Sequence, residues 1–229
     1  MKKQLLFLFF LYALMPSGYG RAFSDPTHPM ETNATVTKWI QLSERLHINT
    51  QAFRLAMNGY EKLKSLGRIQ NERFLTIADF SKPSNEERLY VVDLLLEKVV
   101  IQTLVAHGNK SGTLFAKFFS NKNASHQSSL GFYVTGNIYN GKNGASLELN
   151  GMEAGINDHA RNRAIVMHGA DYVSNRFIQQ QGYIGRSQGC PAVPNDQLNP
   201  IIDAIQGASC MFVYAPNKAY LKQSKFTQL

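Results

Sequence analysis

The sequence predicts a β-rich α+β domain behind a helical segment, on three observations. β-branched and aromatic runs, separated by turn chemistry, fill the region from about residue 73 to 215. Helical periodicity is confined to a stretch before that region and one near its end. The chain has 229 residues, enough for one domain with a substantial core.

The elements follow in order. Met1-Lys2-Lys3 precedes "LLFLFFLYAL", residues 5–14, and then Pro16, Ser17, Gly18 and Gly20. A basic start, a short apolar run and small residues form a secretory signal, expected over 1–20. The apolar run is well short of the roughly 20 residues that a spanning helix needs, so no integral membrane part is expected. "SDPTHPMETNAT", residues 24–35, reads as a leader. After Asn49, Phe53, Met57, Tyr60, Leu63 and Leu66 recur at helical spacing up to Gly67. "FLTIADFS", "RLYVVDLL" and "KVVIQTLVAHG" read as successive strands. "LGFYVTGNIY", "ASLELNG" and "RAIVMHG" continue them, with a tight turn at "NGKNG", residues 140–144. In the second half one helix is expected, capped by Asn195, interrupted by Pro200 and ending at Gly207. The strand "SCMFVYA" follows it. The expected division is therefore signal 1–20, leader and helical segment 21–72, main domain 73–215 and tail 216–229.

The net charge is +8, falling to +6 without Lys2 and Lys3. Its Lys and Arg residues are scattered rather than arrayed with interleaved aromatics, so no nucleic-acid partner is expected. Charge alone does not separate a solvated surface from attraction to an anionic polymer such as a cell wall.

Two cysteines are present. In an exported chain, counting alone leaves a Cys190–Cys210 disulfide open. Their surroundings differ, however. Cys190 sits between Gly189 and Pro191, which suits a sharp turn with amides aimed at one spot. Cys210 sits inside an apolar strand, where a small buried thiol is ordinary. A nucleophilic thiol needs a base, because its free pKa is about 8.5. His168 closes the apolar run "RAIVM" and precedes Gly169, so a strand would deliver its ring to a loop mouth. His28, His47, His107, His126 and His159 lie in the leader, near the first helix or in polar turns. No pair of His or Cys has the spacing of a metal site, and none is expected.

"HGADYVS" followed by "GRSQGCPAVP" resembles the signature of murein L,D-transpeptidases with a YkuD-type catalytic domain. The resemblance extends upstream through "LTIADFSKPSNEERLYVVDL", "LVAHGNKSG", "SHQSSLGFYVTGNIYNGKNGASLELNG" and "NDHARNRAIVMHG", and covers roughly 73–215. It implies a YkuD-like mixed β-sheet or sandwich and cysteine-dependent acyl transfer on peptidoglycan stem peptides, without a cofactor. Cys190 would attack the diaminopimelate carbonyl of a tetrapeptide stem and expel D-alanine. His168 would serve as base, with its ring oriented by the Gly169 carbonyl. The amides of Gly189 and Cys190 would hold the oxyanion. Arg186, Ser187, Gln188, Tyr133 and His126 would line the substrate cleft, a plain turn hydroxyl being the other reading of Ser187. The acyl acceptor would be an amine on a second stem or a wall protein, in the periplasm or at the wall. Two departures stand out. The wider family has His two residues before the Cys, where this chain has Gln188, and an Arg soon after it, where this chain has Pro191 and Ala192. Alternative readings are an L,D-carboxypeptidase using water, or a non-catalytic wall-binding module stapled by a disulfide.

Overall fold

The structure, a computed structural model, describes residues 33–228. The expected signal peptide and the start of the leader lie outside the described residues. Two helices come first, α1 (Asn33–Arg45) and α2 (Thr50–Ser65). They are followed by β1 (Phe74–Asp79), β2 (Leu89–Asp93), β3 (Lys98–Thr103), β4 (Gly131–Gly141), β5 (Gly144–Gly151) and β6 (Val166–Gly169). Then come α3 (Asn175–Gln181), β7 (Ala192–Val193), α4 (Asn195–Ile205), β8 (Cys210–Tyr214) and α5 (Lys218–Gln223).

All eight strands join one mixed sheet in the order β3-β2-β1-β8-β4-β5-β6-β7. The β1–β8 and β6–β7 pairs are parallel and the rest antiparallel. The apolar run "CMFVY" explains the central place of β8. Every residue of it is buried, as expected of a strand covered on both faces. β3 instead alternates exposed and part-buried residues at the sheet edge. The β-rich α+β class read from the sequence is the observed one, as a single sheet.

Asn49 caps α2 as expected, its side chain accepting the amide of Ala52. α2 lies so close to β4 that a Cβ added at Gly59 would overlap the Phe132 ring. That ring stacks on Phe212 of β8 at 4.2 Å between centroids. One core therefore takes in Trp39, Leu42 and Phe53 from the helices with Ile77, Phe132 and Phe212 from the sheet. It does not divide at residue 73. Residues beyond 215 also join it, since Tyr220 is buried and both Tyr220 and Ser224 bind the buried Glu153.

Three helices were not expected. α1 buries only Trp39, Leu42 and Ser43 of its described side chains, too sparse an apolar stripe to stand out in a polar stretch. α3 buries nothing, so no amphipathic pattern marks it, and α5 has six residues with only Tyr220 buried. α4 begins one turn earlier than Pro200 alone would allow: Pro194 is its N-cap, and Asn195 instead donates to Asp171. Pro200 is accommodated on an exposed position of the helix. Among the described residues no helix is long and apolar enough to cross a membrane.

Candidate active site

The parallel pairing of β6 with β7 brings the two chemically distinctive residues together. His168 registers with Ala192, so counting back two residues along each chain sets Cys190 beside Val166. Residues two apart on a strand share a face, which puts Cys190 and His168 on one side of β6. Both line one cavity of about 630 Å³. Its walls come from the 120–129 loop, the β4–β5 hairpin, the 161–164 turn, Tyr172 and the 186–190 turn.

His168 is buried, and its Nδ1 lies 2.9 Å from the carbonyl oxygen of Gly169. A carbonyl only accepts, so Nδ1 carries a hydrogen, and in the neutral ring the lone pair is on Nε2. The Gly169 carbonyl is thus the hydrogen-bond partner of the ring. A Cβ at Gly169 would lie 2.4 Å from the Asn195 side-chain oxygen on α4, so a larger residue would have to push Asn195 aside.

Cys190 is half-buried and Cys210 fully buried, and both are free thiols. The disulfide reading is therefore set aside. The Cys190 thiol donates to the Ala164 carbonyl at 3.6 Å. Burial pushes its pKa above the ordinary thiol value, opposed by the Val166 amide, the Arg163 charge and its own amide.

The turn that presents Cys190 is held by Ser187. The Ser187 hydroxyl donates to the Cys190 carbonyl at 2.6 Å and accepts the Gly189 amide at 3.0 Å. Its own amide donates to the His107 carbonyl at 3.0 Å. Gly189 has φ +125°, and a Cβ there would lie 2.8 Å from the Gln127 carbonyl oxygen, so only glycine fits. One expectation is corrected by this turn, and both readings of Ser187 hold. The Gly189 amide is occupied within it and is not free for an oxyanion, which leaves the Cys190 amide. The Ser187 hydroxyl closes the turn, although the residue does line the cavity.

Of the other expected cleft residues, His126, Arg186 and Gln188 line the cavity. Arg186 donates to the Gly112 carbonyl at 3.2 Å and stands 5.6 Å from the centre of the Tyr183 ring. Tyr133 is not in the cleft. It is 1% exposed inside β4, with its hydroxyl donating to the Ser129 carbonyl, because its side chain faces the core at that register. The sequence reading missed Arg163, Tyr172, Tyr139 and Lys142, which also line the cavity. Tyr172 lay inside the "HGADYVS" stretch and could have been singled out. Its hydroxyl pKa is pushed up to about 12, by burial first and by the Cys190 charge second. Arg163 carried no signal, since nothing in "ARNRA" distinguishes it from a surface arginine.

The cavity lining includes Lys142, Arg163 and Arg186 and contains no Asp or Glu. Its charged lining is thus wholly cationic, which raises the local concentration of anions.

The chain was compared with known proteins. Residues 44–214 match the model of the L,D-transpeptidase catalytic domain. No curated protein matches the chain. Among solved structures, an L,D-transpeptidase from Mycobacterium smegmatis is 14% identical, with a TM-score of 0.38 over 62% of this chain and 59% of that one. One from Xylanimonas cellulosilytica is 14% identical, TM-score 0.39, over 77% and 93%. One from Stackebrandtia nassauensis is also 14% identical, TM-score 0.38, over 88% and 86%. The chain thus spans little more than half the length of the mycobacterial enzyme. With the matched residues running from the last two residues of α1 to the end of β8 and including both Cys190 and His168, the chain belongs to the L,D-transpeptidase catalytic domain family.

Proposed function

We propose that this protein is a cysteine-dependent acyltransferase acting on peptidoglycan stem peptides. One observation carries the reading: a cation-lined cavity holds a thiol and an imidazole whose Nδ1 is fixed by a backbone carbonyl. In the first half-reaction His168 Nε2 takes the Cys190 proton as Sγ attacks the carbonyl of the third stem residue. The Cys190 amide faces the oxyanion that forms. Collapse breaks the amide bond, the leaving D-alanine amine takes the proton from His168, and a thioester remains. In the second half-reaction an amine on another stem attacks the thioester, His168 takes its proton, and the thiol leaves with that proton returned. The basic lining favours a stem that carries free carboxylates. Lys142, on the turn joining β4 to β5, and Arg186 are the cations available to them.

Incubation of the protein with disaccharide tetrapeptides, followed by mass spectrometry, tests this. The expected result is release of D-alanine with formation of a cross-linked dimer, absent with Cys190→Ala. Tripeptide without dimer would assign water as the acceptor. D-alanine release by the Cys190→Ala protein would remove Cys190 from the role.

A further inference from the structure

Arg163 is a cation in the wall of the cavity that makes no ion pair among the described residues. Its guanidinium instead grips one loop through neutral acceptors. Nη1 donates to the Ser120 carbonyl and the Ser129 hydroxyl, and Nη2 to the Gln127 carbonyl at 2.6 Å and the Ser125 hydroxyl at 3.2 Å. The gripped loop includes Ala124 and His126, both non-glycine residues with φ above +50°, and both line the cavity. Left-handed backbone of this kind is strained for residues other than glycine and persists only where neighbours hold it.

The same arginine borders the nucleophile. A Cβ built on Gly189 lies 3.2 Å from Arg163 Nη2, and the Ala164 carbonyl next along the chain receives the Cys190 thiol. The 161–164 turn therefore gives Cys190 a backbone acceptor and sets a fixed charge beside Gly189, its neighbour in the chain. Since all four acceptors are neutral, the charge is not cancelled where it stands. The guanidinium is half-buried, so water screens it less than it would a surface arginine.

We propose that Arg163 is a positioning residue with two linked roles: it holds the 120–129 loop as a wall of the cavity, and from that fixed place its charge favours the Cys190 thiolate. It supplies, from the turn before β6, a cation beside a nucleophile that is followed in sequence by Pro191 and Ala192. The opposition of Arg163 to the upward push of burial on the thiol agrees with this. The inference rests on Cys190 being the reactive thiol. Its test reads that thiol directly, so it can fail while acyl transfer on peptidoglycan stands, and the reverse.

The test is the pH profile of iodoacetamide alkylation at Cys190, assigned by peptide mass, for the parent protein, Arg163→Gln and Arg163→Lys. An opposite charge close to a titrating group is worth about 1–3 pKa units, so Arg163→Gln should raise the alkylation midpoint by about 1 pH unit or more. Arg163→Lys keeps the charge and loses the fork, so its midpoint should stay within about half a unit of the parent's. Both variants should gain proteolytic cleavage within residues 120–129. An unmoved midpoint in a folded Arg163→Gln protein overturns the proposal. So does an equal shift in both variants, which would mark a purely structural role. If Arg163→Gln does not fold, Arg163→Met, which also removes the charge, takes its place with the same expected and overturning outcomes.

Discussion

His168 Nδ1 lies 2.9 Å from the carbonyl oxygen of Gly169, its own successor in β6. The group that orients the imidazole is therefore backbone, carried by the same strand as the ring it orients. Packing of Gly169 against Asn195 of α4 keeps that carbonyl in place. In sites of this type a carboxylate often fills the role; here it needs no side chain at all.

The first prediction concerns the base. Loss of a positioned general base costs about 10²–10⁴-fold in rate. His168→Gln should lower the rate of acyl-adduct formation with a carbapenem, followed by intact mass, by that order at neutral pH. At alkaline pH solvent can remove the thiol proton, so the gap to the parent should narrow. A gap independent of pH would mean that the imidazole does something other than take this proton.

The second prediction concerns pH. Because burial raises the Cys190 pKa in the folded protein, its alkylation should keep rising above about pH 8.5, the ordinary thiol value. Burial raises Cys210 as well, and in the folded protein it should not react. The linked effect on stability has a definite sign. The unfolded chain gives up these protons first, so their contribution is full below the unfolded pKa and is lost as pH rises through the folded values. Melting temperature should therefore fall between about pH 8 and pH 10. A Cys190 alkylation midpoint near neutrality would contradict the burial argument.

How far the sequence reached can be argued from particular residues. Seven of the eight strands were legible, most of them because they carry a β-branched or aromatic run between turn residues; β7, only two residues long, offers no such run. Cys190 and His168 were legible because glycine and proline mark the turn around one and an apolar strand ends at the other. What failed were roles decided by contacts across the chain. Whether the Gly189 amide is free depends on the Ser187 hydroxyl, and nothing local says which way that hydroxyl turns. Tyr133 was misplaced because β4 is covered on both faces over residues 131–135, and nothing local in the sequence says that neither face opens on the cleft there. Arg163 was invisible because its meaning comes from a loop some forty residues earlier in the chain.

The third prediction uses the contact between α2 and the sheet. In an exposed helix Gly→Ala stabilises by roughly 0.5–1 kcal/mol. At Gly59 the added methyl would occupy the space of the Phe132 ring. That ring is buried and stacked on Phe212, so it has little room to move. Overpacking costs about 1–3 kcal/mol and should reverse the sign. Urea denaturation of Gly59→Ala should give a lower midpoint than the parent; a higher one would show that α2 can shift away from β4.

The last prediction separates shape from charge at Glu153. This residue is 4% exposed and makes no ion pair among the described residues. Its Oε1 accepts from the Phe132 amide at 2.8 Å and the Tyr220 hydroxyl at 3.0 Å, while Oε2 meets the Ser224 hydroxyl. Burial raises its pKa, against the pull of these donors. The folded state therefore favours the protonated acid relative to the unfolded chain, and this stabilisation is lost as pH rises from the unfolded value of about 4.3 through the folded one. Glutamine copies the protonated acid: its carbonyl can keep both Oε1 bonds, and its amide can donate to Ser224 Oγ, which is able to accept. Glu153→Gln should thus stay within about 1 kcal/mol of the parent and compare better at pH 7 than at pH 4. Glu153→Ala removes the acceptor for three buried donors, each worth about 1–3 kcal/mol when unmet, and should be far less stable at both pH values. Denaturation of the three proteins at the two pH values reads both effects. If Glu153→Gln were as unstable as Glu153→Ala at pH 7, the fold would require the carboxylate charge itself, and the acid-favouring reading of this buried site would be wrong.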